Sequence, residues 1–200
     1  MTQADIASVV AVAKRYGKKV TAHVHSDQSG QDAILAGVDS LEHASLLKDA
    51  TIDLAVEHNV AFSMDIYNGD YINTVGVIEE WPEEFLRKNR ETTQIQRENF
   101  TKAHQAGVII VYGTDAGVYP HGDNAKQFAY MVNYGMTSLE AIQSATIVAA
   151  KVMNWEDSVG QIKPGYFADI IAVRDNPLLN IRLLEDINIV IKGGVVYKAN

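Results

Sequence analysis

No cysteine occurs among the 200 residues. The chain therefore has no disulfide and no thiolate to offer a metal, and any metal must be held by histidine, aspartate or glutamate. Clusters of basic residues interleaved with aromatics are also absent, and 17 Lys and Arg against 25 Asp and Glu leave a formal charge of −8. That balance argues against nucleic acid and anionic membranes as partners. No apolar run approaches the length needed to span a bilayer. The opening stretch, MTQADIASVVAVAKRYGKK, reads as an amphipathic helix capped by Thr2 and Asp5 rather than as a signal peptide, which makes the cytoplasm the expected location. Internal repeats and low-complexity tracts are missing. So is a strand ahead of the first helix.

What is present is an ordinary globular composition, 47% hydrophobic, in a chain long enough to bury a real core. Four times a β-rich run ends in polar residues and gives way to a helical pattern: KKVTAHVHS, VDSLEHAS, NVAFSMDIYNGD and GVIIVYGTDAG. This alternation predicts an α/β fold of consecutive parallel βα units. The intervening helices are expected near residues 31–36, 50–58 and 83–106, the last with Pro82 at its first turn, where a missing N–H costs nothing. Two more helices are expected from NAKQFAYMVNYG and TSLEAIQSATIVAAKVMN, with Gly135 ending the first and Thr137 and Glu140 forming a capping box on the second. From about Asp157 the texture changes to short strands and glycine turns, with Gly193 and Gly194 as a hairpin turn.

Each strand candidate ends in groups able to bind metal or move protons: His23 and His25, His43, Asp65 with Tyr67, and Asp115. In a (β/α)8 barrel the C-terminal ends of the strands converge on one mouth, so scattered positions become one site. Taken singly, each residue has a plain structural reading. His23 fits a strand histidine satisfied by backbone groups, His43 could pair with Glu42, and Asp115 could cap a turn or the next helix. Recurrence at the same position of successive units favours a shared site. Two histidines and one aspartate are a donor set for catalytic zinc that leaves a position for water, whose proton an adjacent carboxylate can take.

VTAHVHS, DSLEHAS and VYGTDAG, in that order and followed by GMTSLEAIQSATIVAAKVMN and GQIKPGYFADIIAVRDNPL, resemble the amidohydrolase superfamily, metal-dependent hydrolases built on a (β/α)8 barrel. The wording is closest to the branch of Xaa-Pro dipeptidase (prolidase)-like and imidazolonepropionase-related enzymes. The resemblance places His23 after strand five, His43 after strand six and Asp115 after strand eight. The superfamily also carries a His-x-His after strand one, with which HVH at 23–25 could be confused. Spacing decides: at roughly 31 residues per βα unit, the 92 positions between His23 and Asp115 hold about three units, whereas strand one to strand eight needs about seven. The bridging lysine after strand four has no counterpart, since Lys14, Lys18 and Lys19 lie in or after the first helix. The chain thus resembles the C-terminal half of an amidohydrolase, with a partial barrel over residues 1–156 and, over 157–200, the β-strand segment of a small β-sandwich. Half a barrel leaves two unpaired strand edges and an uncovered face, so a homo-oligomer or association with the missing N-terminal half is expected.

The resemblance further implies that His23 and His43 bind one divalent metal, zinc being the first expectation. Asp115 would bind a second while serving as general base. Two ions belong to the complete family site, and fewer or none to this chain alone. His25 faces the same side as His23 by strand alternation, either touching substrate or supporting the ligands from behind. Tyr67, in MDIYNGDY, either offers its phenol to a substrate carboxylate or scissile carbonyl or simply packs on the rim. His121, in GVYPHGDN, either shapes the substrate pocket or is an exposed loop histidine. The facing of Asp65 is left open, and it is not counted among the site residues. The expected activity is hydrolysis of an amide bond in a small substrate, with an Xaa-Pro dipeptide the first candidate. Against it stand a non-catalytic fragment or complementing subunit, and a mononuclear site used for deamination or for cyclic-amide opening of the imidazolonepropionase type.

Overall fold

Thr2 begins the first helix, α1 (Gln3–Arg15), by a reciprocal exchange: its hydroxyl accepts from the Asp5 backbone, and the Asp5 carboxylate accepts from the Thr2 backbone at 2.9 Å. Two donors that a helix start leaves orphaned are thereby satisfied. A computed structural model describes residues 1–199. In it α1 leads into β1 (Thr21–Ser26), α2 (Asp27–Ala36), β2 (Ser40–Leu46), α3 (Asp49–His58) and β3 (Ala61–Ser63). A short helix α4 (Asn68–Tyr71) runs into a π-helical turn over Ile72–Gly76, and the long helix α5 (Glu83–Ala106) then returns to β4 (Ile110–Val111). The four strands lie in chain order and pair in parallel, so the expected succession of βα units is present. They form an open sheet in which β1 and β4 each pair on one side only.

The core lies on one face of that sheet. Leu41, Phe62 and Ile110 stand side by side in the register of β2, β3 and β4, and with Val24 they pack against Ile34, Ala55, Phe100 and Ala103 of the covering helices. Phe62 is fully buried, worth roughly 1.5–3 kcal/mol of transfer free energy. Alternation sends Thr21, His23, Ser40, Glu42 and Ser63 to the opposite face. That face is polar and, at β1, exposed.

Three elements differ from the sequence reading. Helix α2 starts at Asp27 rather than near 31, because the hydroxyl of Ser26, the last residue of β1, accepts from the Ser29 backbone and caps the helix directly. The polar end of the third β-rich run, from Asn68, is already helical. The helix expected across 137–154 is two, α7 (Ser138–Ser144) and α8 (Ile147–Val152). The hydroxyls of Ser144 and Thr146 donate back to the carbonyls of Ala141 and Ile142, which competes with helix continuation. The break also frees the Ser144 carbonyl to accept from Tyr112 at the end of β4. Between β4 and α7, helix α6 (Lys126–Asn133) forms as expected, and Thr137 and Glu140 make their capping box.

The tail is a three-stranded antiparallel sheet, β5 (Ile170–Ala172), β6 (Ile189–Lys192) and β7 (Val195–Ala199). Gly193 and Gly194, both left-handed (φ 55° and 81°), form the two-residue turn whose twist suits a hairpin. Between β5 and β6 a 3-10 turn places Ile181 and Leu184 against Ala129 of α6, so the tail is anchored to the helices around the parallel sheet. Among the described residues, no helix is long and apolar enough to cross a membrane.

Helix α2 approaches the segment just after β2 so closely that a Cβ on Gly30 would lie 2.7 Å from Leu47 Cδ2. Gly30→Ala is expected to cost about 1–3 kcal/mol through overpacking and to lower the midpoint of thermal unfolding; an unchanged midpoint would mean that Leu47 yields freely.

Candidate metal centre

At the C-terminal ends of the parallel strands, β2 abandons regular geometry. His43 (φ 67°) and Ala44 (φ 48°) are consecutive left-handed residues. The register slips there: Val24 pairs with His43, but Ser26 pairs with Leu46, leaving one extra residue on β2. Each such conformation costs about 1–3 kcal/mol and survives only where the surroundings enforce it. Asn99 of α5, buried, supplies that enforcement by donating to the carbonyls of Ser45 (3.0 Å) and Leu47 (2.9 Å). The bulge suspends alternation, so the adjacent Glu42 and His43 both line one cavity.

That cavity, about 210 Å³, is bounded by His23, Glu42, His43, Ser63, Asp65, Thr114 and Asp115. His43 Nδ1 stands 2.8 Å from Asp65 Oδ1. A carboxylate only accepts, so the proton sits on Nδ1 and the Nε2 lone pair is left free for a metal. The Asp65 bond holds the His43 imidazole above its ordinary pKa, against the opposing effect of burial. Asp65 is buried, and its other partners are the amides of Gln96 (3.1 Å) and Asn68 (3.1 Å). The loop carrying it is pinned from behind: Gln127 accepts from the Tyr67 backbone at 2.9 Å and donates to the Met64 carbonyl, while Arg97 donates to the Ile66 carbonyl at 3.1 Å. Asp115 enters after Gly113, where a Cβ would collide with the Ser63 side chain. The same Asn68 amide donates to Asp115 at 3.1 Å.

Two groups of donors meet here, His43 with Asp65 and Asp115, and His23 with His25 and His43, each with its ligand atoms within 4.8 Å of one another. The His23 ring lies edge-on to His43 at 4.4 Å and to His25 at 4.6 Å, and His25 stacks on His43 at 4.8 Å. His25 Nδ1 lies 3.1 Å from the Ser45 hydroxyl. Burial, then the neighbouring His43 and His23, lower the His25 pKa and favour its neutral form.

His25, Tyr67 and His121 do not line the small cavity. Tyr67 is buried against Tyr119 at 5.0 Å between ring centres, and His121 sits on an exposed turn. Asn68, Gln96 and Tyr119 are not singled out by the sequence, and Asp65, whose facing the sequence leaves open, turns into the cavity. Burial pushes the Tyr119 phenol up to about 12, against a hydrogen bond to Thr114, so it remains a donor at neutral pH. The only advance signal for Asp65 was its place after a strand. A larger cavity of about 660 Å³ opens at the other end of the strands, near Asn59, Ile109 and Ile147, and contains neither donor group.

A model of the amidohydrolase family matches residues 1–198. The chain belongs to the amidohydrolase family. Ochratoxinase of Aspergillus niger is 32% identical over 207 residues, covering 97% of this chain and 41% of its own length. Among solved structures, a Xaa-Pro dipeptidase with methionine bound in its active site matches at a TM-score of 0.94 and 40% identity, over all of this chain and 49% of the other. A prolidase complexed with N-methylphosphonate-L-proline matches at 0.92 and 26%, over all of this chain and 50% of the other. The chain thus spans about half the length of the amidohydrolases it matches.

The His43–Asp65 pair makes a pH prediction for the metal-free protein. Because the folded pKa of His43 is raised, the pair adds stability that is full below the ordinary value of about 6.5 and is lost as pH rises through the raised value. In Asp65→Asn, His43 is expected to titrate lower by histidine NMR, and the gain in stability on mild acidification to shrink. An unmoved His43 titration would show that Asp65 does not set it.

Proposed function

We propose that this chain carries the metal-binding end of a metal-dependent amide hydrolase acting on a small substrate. The observation that supports this most is the convergence of His23, His43, Asp65 and Asp115 on one small cavity. The donor set suits a divalent cation. Three carboxylates and two imidazoles line the cavity without a lysine or arginine, and one imidazole has its Nε2 freed by the Asp65 bond. Such nitrogen and oxygen donors accommodate zinc, our first candidate.

In this reading His23 and His43 hold one cation, and Asp115 would contribute to a second while accepting the proton of the attacking water. When bound, the metal supplies Lewis acidity, polarising the scissile carbonyl and acidifying water near neutral pH. Asp65 keeps His43 in the tautomer that exposes Nε2. Tyr67, His25 and, farther out, His121 are assigned to the substrate side, with the protonated Tyr119 beside Tyr67 as a further donor. An Xaa-Pro dipeptide is the proposed substrate, supported by the two dipeptidase-type neighbours. We place the catalytic part at residues 1–156, where the parallel βα units lie, a β-strand segment at 157–200, and the protein in the cytoplasm.

A second reading has its own support. The polar face bearing His23 and the two sheet edges are uncovered in this chain, and relatives are about twice as long. The working site would then form only with further polypeptide, either the other half of the barrel or a second copy, which supplies the remaining ligands.

The purified protein is expected to contain zinc or another divalent ion, to cleave Xaa-Pro dipeptides, to lose activity on chelation and to regain it on metal addition. Asp115→Asn is expected to reduce kcat by about 10²–10⁴-fold, the usual loss of a general base. Absence of both bound metal and dipeptide cleavage would overturn the hydrolase reading. Full activity with two ions per isolated 200-residue chain would overturn the second.

A further inference from the structure

Building on the metal-centre reading above, we propose that Asn68 is a positioning residue of that centre. Its one amide nitrogen ties the carboxylate that orients His43 to the carboxylate read as the proton acceptor. Asn68 Nδ2 donates to Asp65 Oδ2 at 3.1 Å and to Asp115 Oδ2 at 3.1 Å. Those acceptors belong to different strand ends, 47 residues apart for Asn68 and Asp115, so the bridge fixes one station of the site relative to the next.

The chemistry explains the residue type. Two carboxylates facing one small cavity repel each other, and a lysine between them would relieve the repulsion by neutralising the charge that draws a cation in. A serine or threonine hydroxyl has one hydrogen to give, and a carboxylate none. The asparagine amide gives two hydrogens from one neutral atom, holding both carboxylates in place while leaving their charge available. Its orientation follows from the same partners, since the flipped amide would aim an oxygen at two anions. Asn68 Oδ1 is left buried and without a hydrogen-bond partner, a cost incurred on one side of the amide while the other is engaged twice.

The backbone beneath Asn68 is docked independently of the carboxylates. Asn89 of α5 donates to the Gly69 carbonyl at 2.8 Å, and Gly69 sits so close to Thr93 that a Cβ would collide with it. Anchoring the turn and bridging the carboxylates are therefore separable functions of neighbouring residues, and substitutions can tell them apart.

Zinc affinity of the full chain, measured by chelator competition, provides the test. Asn68→Ala is expected to weaken zinc binding about 10- to 100-fold, the range for removing a hydrogen-bond partner of a metal ligand. Asn68→Ser, which keeps a single donor, is expected to recover part of that loss. Asn89→Ala, which releases the turn without touching either carboxylate, is expected to lower the thermal midpoint while keeping the parent affinity. Parental affinity in Asn68→Ala would overturn the inference alone, as would equal losses in Asn68→Ala and Asn89→Ala. A parent chain that binds no zinc would overturn the metal-centre reading and this inference with it. If Asn68→Ala does not fold, parent against Asn68→Ser decides: weaker binding supports the bridge, and equal binding overturns it.

Discussion

The hydrogen bond between His43 and Asp65 is the contact on which the rest of the site depends. It requires a histidine on β2 and an aspartate just past β3 to meet, which a regular ladder would not allow at these positions. The left-handed pair at His43 and Ala44 makes the meeting possible by turning a residue that alternation would bury onto the open face. The backbone conformation is unfavourable for residues with a Cβ. Its persistence rests on groups outside the strand, above all the Asn99 amide that takes up the carbonyls displaced by the bulge.

Helix α5 is consequently more than a cover for the sheet. Along one side it presents Asn89 to the turn after β3, Gln96 to Asp65, Arg97 to the Ile66 carbonyl and Asn99 to β2. Three of these, Gln96, Arg97 and Asn99, engage the segments that carry His43 and Asp65, while Asn89 anchors the backbone after β3 without touching a site carboxylate. Polar contacts are directional where apolar packing is not, so they fix orientation as well as proximity. The apolar work is done on the same helix by Phe100 and Ala103, which enter the core beneath the sheet. Core and site are therefore built from one surface, and a helix that the sequence marks only as long and polar determines the geometry of both.

Much of this was legible from local pattern. The alternation of β-rich and helical runs specified parallel units, and residues after the strands identified His23, His43 and Asp115 as neighbours. The family resemblance, read with the spacing from His23 to Asp115, put HVH late in the expected series of βα units. Other features depended on partners distant in sequence. Nothing around Asp65 says which way it points, because its facing is set by Gln127, 62 positions away in the chain, holding the backbone on either side. Asn68 reads as an ordinary turn residue until β3 and β4 are brought side by side. The helix break at Ala145 and Thr146 is similarly silent, since it is favoured by the Tyr112 backbone donor just past β4, which takes the freed carbonyl.

By itself the sequence determined the succession of parallel strands, the capped helices, the glycine hairpin and the identity of the residues at the strand ends, because period, capping and turn chemistry act over a few neighbouring residues. Tertiary structure alone decided that β2 bulges, that His43 donates a hydrogen bond from Nδ1 to Asp65, and that one asparagine spans two carboxylates. Those outcomes turn on distances between side chains far apart in the chain, and such distances exist only once the sheet has paired and α5 has closed over it.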